Sequence, residues 1–383
     1  MIRINFNDLR FPDPLAKHFI QEGGSKNGVI SYFESIWGDN KEFLRYLPEG
    51  RSFLHPNQLD DPAKVEEFLK SIPDSDKPKI VRGCVLPKDD YPGDFGGAVD
   101  LIPTFGSNSG IRSREVLADN VNDLIEFQRK PEVINYLRWD GWSGAHSFPP
   151  IGVEIEDYYE GANHKFSVIE HPTRSNVYIV ESLGDLGALQ GVYGREYLSG
   201  NDDNSFFKEG VEAYKLVKDS GLIPEDYTFH MEYGYDENYH LKIFQIRLFR
   251  KKENKADFEI PSGLSDYTFH AFGITGKSGI EIDIASLEDG GLQSLKNNDR
   301  AAYTLDAPFR RNSVDIGLIP DNMCAFVANV HSKTFLQHGY FRYLQKADVG
   351  LVINNDELHL KTFEGNTAKI KIFSNGIQGG ILF

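Results

Sequence analysis

Three side chains in the second half of the chain, Glu232, Gln245 and Arg247, are of types that act together on a metal–phosphate pair. A carboxylate and a carboxamide oxygen are hard ligands of the kind Mg²⁺ accepts, with its other positions left to water and phosphate oxygens. A guanidinium offers a planar fork to a phosphate. Gln245 and Arg247 stand at i and i+2, on one face of an extended strand. The short turn at residues 236–238 lets Glu232 project to the same side of a hairpin. A second group lies far upstream: Arg82, the acidic pair Asp89 and Asp90, and the turn at residues 94–97 with Phe95, Gly96 and Gly97. Glycine lets backbone N–H groups approach a phosphate closely. Read singly, the first group is also what a solvated hairpin face looks like, and the second is also a plain polar turn.

The elements that must position these groups are legible from periodicity. Residues 62–72 have helical spacing, ended by Pro73 and Pro78. Strands are expected at 79–86 and 152–159, with an apolar run at 98–105. A helix is expected over 114–139, with Val116, Leu117, Val121, Leu124, Ile125 and Phe127 as its apolar face. Residues 165–170 and 176–181 read as a strand pair, 205–220 as a helix, and 227–235 with 240–250 as an antiparallel pair. Strands and helices mix without βαβ alternation, which indicates an α+β fold. The charged stretch at 251–256, followed by Pro261, Ser262 and Gly263, is the expected domain boundary. Beyond it, strands are expected at 279–284, 325–330, 349–353, 358–363 and 369–373, with a turn at Asn375 and Gly376, giving a smaller β-rich domain.

Composition narrows the function classes. The 383 residues carry 41 Lys and Arg against 57 Asp and Glu, a net charge of −16 that disfavours nucleic acid or an anionic membrane as partner. Only Cys84 and Cys324 are present, too few for a disulfide scaffold or a cysteine zinc site. No apolar run approaches the ~20 residues of a membrane-spanning helix, and no secretory h-region is visible, so a cytoplasmic location is expected. Neither a Walker loop nor a GxSxG elbow occurs.

In chain order, five segments resemble the nucleotide-binding ATP-grasp domain of the phosphoenolpyruvate synthase and pyruvate phosphate dikinase family. Val81-Arg82-Gly83-Cys84, then Asp89-Asp90, then Asp94-Phe95-Gly96-Gly97 are similar to that family's VRSS…ED…SFAG stretch. Val153-Glu154-Ile155-Glu156-Asp157 resembles its adenine-side strand, residues 165–173 its SGVAFTRDP stretch, and residues 184–191 its GLGExxVxG stretch. His230-Met231-Glu232-Tyr233 and Phe244-Gln245-Ile246-Arg247 resemble its DIEW…LQxR ending. The resemblance covers about residues 79–250.

It implies an ATP-grasp-like, two-lobed nucleotide-binding unit over 1–255, with lobes at about 1–157 and 158–255, and a swivel-like domain over 256–383. It implies ATP and Mg²⁺ as cofactors. Arg82 would contact the transferring phosphate, and Phe95, Gly96 and Gly97 would close over the phosphates. Glu154 and Glu156 would lie on the nucleotide side, Glu232 and Gln245 would hold the metal, and Arg247 would steady the outer phosphate. The implied activity is phosphoryl transfer from ATP to a histidine or a small acceptor, with a small molecule or a protein as the phosphoacceptor partner. Departures are visible: His230 replaces an aspartate, Gly83 and Cys84 replace two serines, and only Lys26 in Gly23-Gly24-Ser25-Lys26 stands for the family's early lysine.

In the C-terminal part, His338 is the implied phosphoacceptor. It would sit at a helix start, where the dipole favours an anion, with Arg342 on the same face. A surface histidine is the plainer reading of the same segment. The pyruvate-binding barrel of the family is absent. Two other readings stay open: an inactive relic serving as a binding or assembly module, and an ATP-grasp ligase that forms an acyl phosphate.

Overall fold

The computed structural model describes residues 6–73, 76–87, 112–131, 133–134, 137, 149–159, 165–170, 177–182, 195–198, 205–250, 269–271, 277–286, 291–305, 320–329, 347–353, 367–374 and 379–382. The architecture is α+β. Two compact units divide the chain: one holds residues 1–169, 182–186 and 199–249, the other residues 170–181, 187–198 and 250–383.

The first unit opens with α1 (Pro14–Gly23). The Asp13 carboxylate accepts the Leu15 N–H at 2.9 Å, and Pro14 supplies the first helical position. A π-helical segment (Gly24–Gly28) joins it to α2 (Val29–Trp37), and the short α3 (Lys41–Leu44) follows. The π segment depends on glycine. Gly24 has φ of +69°, and a Cβ there would lie 2.4 Å from the Val85 carbonyl oxygen. A Cβ on Gly28 would lie 2.3 Å from the Phe19 carbonyl oxygen. Bare backbone at Gly24 lets the segment press directly on the strand that ends at Val85, and at Gly28 it lets the segment pack against α1.

That strand is β2 (Lys79–Val85). With β1 (Ser52–Leu54) and β3 (Ile151–Asp157) it forms an antiparallel sheet in the order β1-β3-β2, with Arg82 opposite Glu154 and Ile80 opposite Glu156. Val81, Val85, Ile151, Val153 and Ile155 share one face and bury against α4 (Pro62–Ser71) and α5 (Arg114–Gln128), through Phe68, Leu117, Val121 and Leu124. Burial of each such side chain contributes roughly 1.5–3 kcal/mol. Because side chains alternate, Arg82, Cys84, Glu154 and Glu156 are sent to the opposite face. The helix expected over 114–139 closes at Gln128. Pro131 lacks an N–H and restricts the residue before it, so helical residues resume only at Pro131 itself.

A second sheet of this unit contains β4 (Lys165–Glu170), β7 (Tyr227–Tyr235) and β8 (Leu241–Arg250), in the order β4-β7-β8. Helix α6 (Ser205–Asp219) covers one face of β7. The Tyr214 ring stacks on Phe229 with centroids 4.0 Å apart, and the Tyr214 hydroxyl donates to the Phe229 carbonyl at 2.9 Å. The hydroxyls of Tyr233 and Tyr235 donate to the Phe206 carbonyl at 3.2 and 3.1 Å. Alternation turns His230 and Glu232 to the other face of β7.

In the second unit, β5 (Val177–Ser182) and β6 (Arg195–Leu198) pair antiparallel. Its large sheet runs β15-β14-β10-β11-β12-β13-β9. The members are β9 (Phe269–Ala271), β10 (Lys277–Ser286), β11 (Ala301–Leu305), β12 (Met323–Asn329), β13 (Val349–Ile353), β14 (Ala368–Ser374) and β15 (Gly379–Leu382), with α7 (Gly291–Leu295) between β10 and β11. The four strands β10 to β13 are parallel and the others antiparallel. Ile282, Ile284, Ala302, Ala325, Val327, Ile370 and Ile372 form its apolar core. The apolar run at 98–105, the strand at 358–363 and the turn at 375–376 lie outside the described residues.

The glycine requirement is testable. Gly24→Ala is expected to lower stability by ~2–4 kcal/mol, from left-handed strain plus a backbone clash. Gly38→Ala, at φ of +53° with nothing within 4 Å of the added carbon, should lose only ~1 kcal/mol. Urea unfolding of both variants checks this, and equal losses would contradict the close-packing account.

Candidate functional site

The polar face of the β2–β3 ribbon is the place where charge collects. Arg82 extends one terminal nitrogen to two carboxylates, Glu156 Oε1 at 2.7 Å and Glu154 Oε2 at 3.1 Å. Antiparallel register makes this possible, since Glu154 lies directly across from Arg82 and Glu156 is the next residue on the same face. Glu154 is fully buried, and the Arg82 side chain keeps 11% of its surface exposed. One nitrogen thus serves both acids, while Arg82 Nε, Glu154 Oε1 and Glu156 Oε2 are buried without a hydrogen-bond partner among the described residues.

Further charges approach from neighbouring elements. The glycine-permitted contact of the π segment brings Lys26, buried, to donate to the Gly83 carbonyl at 3.0 Å. Arg51, just before β1, donates to Glu34 at 2.8 Å and lies 3.4 Å from the Ser31 hydroxyl. Its positive charge acts on Glu156, as does that of Lys26. Glu232 on β7 acts electrostatically on Arg82. Directly across from Glu232 on β4 stands Ser167, fully buried, its hydroxyl without a partner among the described residues. Three cations, Lys26, Arg51 and Arg82, therefore work against three carboxylates, Glu154, Glu156 and Glu232.

Electrostatics follow from burial and from this company. Burial pushes the Glu156 carboxyl up to about 7; Arg82 opposes this and Glu154 adds to it. Burial also works against the charge of Arg82, yet Glu156 and Glu154 hold its guanidinium above the ordinary value. Cys84 donates to the Gly23 carbonyl at 2.9 Å, and burial, reinforced by Glu154, raises its thiol to about 12. It is a packing group rather than a thiolate.

Of the residues picked out from sequence, Arg82 contacts Glu154 and Glu156, Lys26 contacts the Gly83 carbonyl beside them, and Glu232 acts on Arg82 electrostatically. The turn between β7 and β8 is closed by two backbone hydrogen bonds. Asp236 N–H donates to the His240 carbonyl at 3.0 Å and Tyr239 N–H to the Asp236 carbonyl at 3.0 Å, with Tyr239 at φ of +61°. This left-handed residue adds a bulge to the turn. Along β8 the buried apolar residues Leu241 and Ile243 are followed by Ile246 and Leu248, so the period of two breaks between Ile243 and Ile246. Gln245 is buried on β8, and Arg247 lies on the same strand. Phe95, Gly96, Gly97 and His338 lie outside the described residues. Sequence reasoning missed Arg51 and Ser167. The one signal for Ser167 is a polar residue at an alternating position between Phe166 and Val168.

No protein-family model matches the chain, and no curated protein matches it. The resemblance to phosphoenolpyruvate synthases therefore stands on its motifs alone. Among solved structures, the chain is similar in part to the VanG D-Ala:D-Ser ligase from Enterococcus faecalis, with 11% identity over 61% of this chain and 54% of that one, at a TM-score of 0.31. It is similar likewise to an L-amino acid ligase from Bacillus licheniformis, with 9% identity over 61% and 44% and a TM-score of 0.32. A third is the D-cycloserine synthetase DcsG, with 11% identity over 60% and 62% and a TM-score of 0.31. The matched stretch spans roughly half of those chains, and likenesses of this size say nothing about activity here. Among the described residues, no helix is long and apolar enough to cross a membrane.

The acid cluster predicts a pH signature. Glu156 holds its proton in the fold up to about 7, against an ordinary value of 4.5. Between these values the folded chain binds more protons than the unfolded one, so this group's contribution to stability falls as pH rises through that window. In Glu156→Gln this fall is expected to be absent. Urea unfolding at pH 5 and pH 8 checks it, and parallel pH profiles for wild type and variant would contradict it.

Proposed function

We propose that the first unit is an ATP-grasp-type site that binds a nucleoside triphosphate with Mg²⁺ and transfers its terminal phosphoryl group to an acceptor. One observation carries this reading: a buried arginine, with a lysine and a second arginine near it, on the polar face of a strand pair and within electrostatic reach of Glu232. Phosphoryl transfer is catalysed mainly by positioning and by neutralising phosphate oxygens, and cations fixed on β-strands do both. Among the described residues, the Arg82 Nε and the Ser167 hydroxyl are donors without an acceptor.

The donor set suits a metal that arrives with its nucleotide. Among the described residues no group of three or more His, Cys, Asp or Glu is arranged to hold a metal ion. Mg²⁺ needs only one or two carboxylates when phosphates and water fill its remaining positions. Glu232 is the carboxylate we assign to it, with Gln245 on the neighbouring strand β8 as the second oxygen ligand. When bound, the ion supplies charge neutralisation to the phosphates. Lys26 and Arg82 bind and orient the phosphates, and Ser167 adds a hydroxyl beside Glu232.

A carboxylate acceptor, activated as an acyl phosphate, is the acceptor that calls on nothing outside this unit, and it is the reading we favour. Transfer to a histidine such as His338 is the second. The inactive-module reading draws on the buried His230, at the position of the family's aspartate.

Calorimetric titration with ATP and Mg²⁺ tests the binding. Saturable heat that depends on Mg²⁺ is expected, with Glu232→Ala weakening the affinity about tenfold or more, the loss of one charge-assisted contact. No heat with wild type, or an unchanged affinity in Glu232→Ala, would overturn the reading. Hydroxylamine then separates the acceptors. A hydroxamate formed from added carboxylic acids is expected, whereas an acid-labile, base-stable phosphate left on the protein would favour histidine.

A further inference from the structure

The way Arg82 is already held deepens this reading and rests on it. A phosphate that takes the guanidinium meets two carboxylates in possession of it. Both acids contact the same terminal nitrogen, and the second oxygen of each is buried with no partner among the described residues. Among the described residues, a carboxylate that lets go of Arg82 therefore has no other hydrogen bond waiting for it. Nor can it reach water without leaving the strand face, since Glu154 and Glu156 are both buried on β3. A buried carboxylate deprived of its cation sheds its charge by taking a proton.

We propose that Glu154 and Glu156 are positioning residues that hold Arg82 in place until a phosphate arrives, and that Glu156 takes up a proton when the phosphate replaces it. The exchange breaks an N–H···O bond from Arg82 to a carboxylate and forms one from Arg82 to a phosphate oxygen. A solvent proton adds to the freed Glu156 oxygen, and no covalent bond of the ligand changes. Charge stays balanced, because the added anion is met by the added proton.

The surroundings favour Glu156 as the group that titrates. The charges acting on it come from every neighbouring element: Arg82 on β2, Glu154 on β3, Arg51 before β1 and Lys26 on the π segment, with the Tyr159 hydroxyl beyond β3. Glu232 and Cys84 act on Arg82. Burial has already brought the Glu156 carboxyl to about 7 while Arg82 still helps it stay charged. Removal of that help moves it further up. The sign follows: proton uptake is small where Glu156 is protonated beforehand and large where it is not, so it grows from pH 6 to pH 8, and affinity falls over the same range.

Titration with a non-hydrolysable ATP analogue at saturating Mg²⁺, in buffers of low and high ionisation heat, counts the protons. Wild type is expected to take up at pH 8 about half a proton or more beyond Glu156→Gln, and the difference should vanish at pH 6. Glu154→Gln, which leaves Glu156 in place, should keep the uptake. It also serves as the comparison should Glu156→Gln fail to fold. Equal proton counts in wild type and Glu156→Gln, both binding, would overturn the proton coupling while leaving the nucleotide site intact. So would a wild-type count that does not change between the two pH values. Absence of heat in wild type would overturn the site and this inference together.

Discussion

Everything in the first unit is organised around the burial of one guanidinium. A cation taken out of water costs several kcal/mol unless charges and hydrogen bonds replace its hydration. Arg82 receives two carboxylates in return, and that exchange dictates the local structure. It requires that β2 and β3 pair in the register that sets Glu154 across from Arg82. It also requires that the opposite face of the same strands be apolar, so that Val81, Val153 and Ile155 can anchor the pair to α4 and α5. Removal of either acid strands a charge, whereas slippage of the register by one residue would send all of these side chains to the wrong side.

A buried ion cluster of this kind is a weak source of net stability, because desolvation offsets most of the attraction. Its presence in a unit with ample aliphatic core is better explained by function than by folding. Among the described residues, donors and acceptors are left over: Arg82 Nε, Glu154 Oε1, Glu156 Oε2 and the Ser167 hydroxyl. Buried polar groups in a finished interior are paired, so a cluster with several unpaired atoms is fitted to something besides itself. The glycines of the π segment serve the same end, since they allow the Lys26 ammonium to reach the backbone of β2.

Much of this fold was legible in the sequence, for identifiable reasons. The 3.6-residue spacing of Val65 and Phe68, and the proline after them, gave α4 to within a residue. The period-two pattern and the turn at 236–238 gave β7 and β8. Arg82 and Glu232 were marked as partners in one chemistry by their types and their order. The contact of Arg82 with Glu154 and Glu156 was not legible, because it depends on the pairing of strands some seventy residues apart, and nothing local encodes that register. The bulge at Tyr239 was missed for a related reason: a left-handed tyrosine carries no glycine to announce it. The end of α5 was misplaced because apolar spacing was followed past Pro131. In the large sheet of the second unit β10, β12, β13 and β14 were expected from sequence, β9, β11 and β15 were not, and no strand direction was read. The unbroken apolar run of β12 suits a parallel strand covered on both faces, yet periodicity alone does not separate that from a buried antiparallel one.

The central claim is that the Arg82 guanidinium is the group that meets the phosphates. Its Nε–H signal in protein labelled with ¹⁵N at arginine, assigned by Arg82→Lys, reports this directly during titration with the Mg²⁺ complex of a non-hydrolysable nucleotide. The account predicts a saturable shift of that signal in step with binding, as the buried Nε gains an acceptor or loses its carboxylate environment. A signal that stays fixed while the nucleotide binds, with changes confined to other arginines, would contradict it.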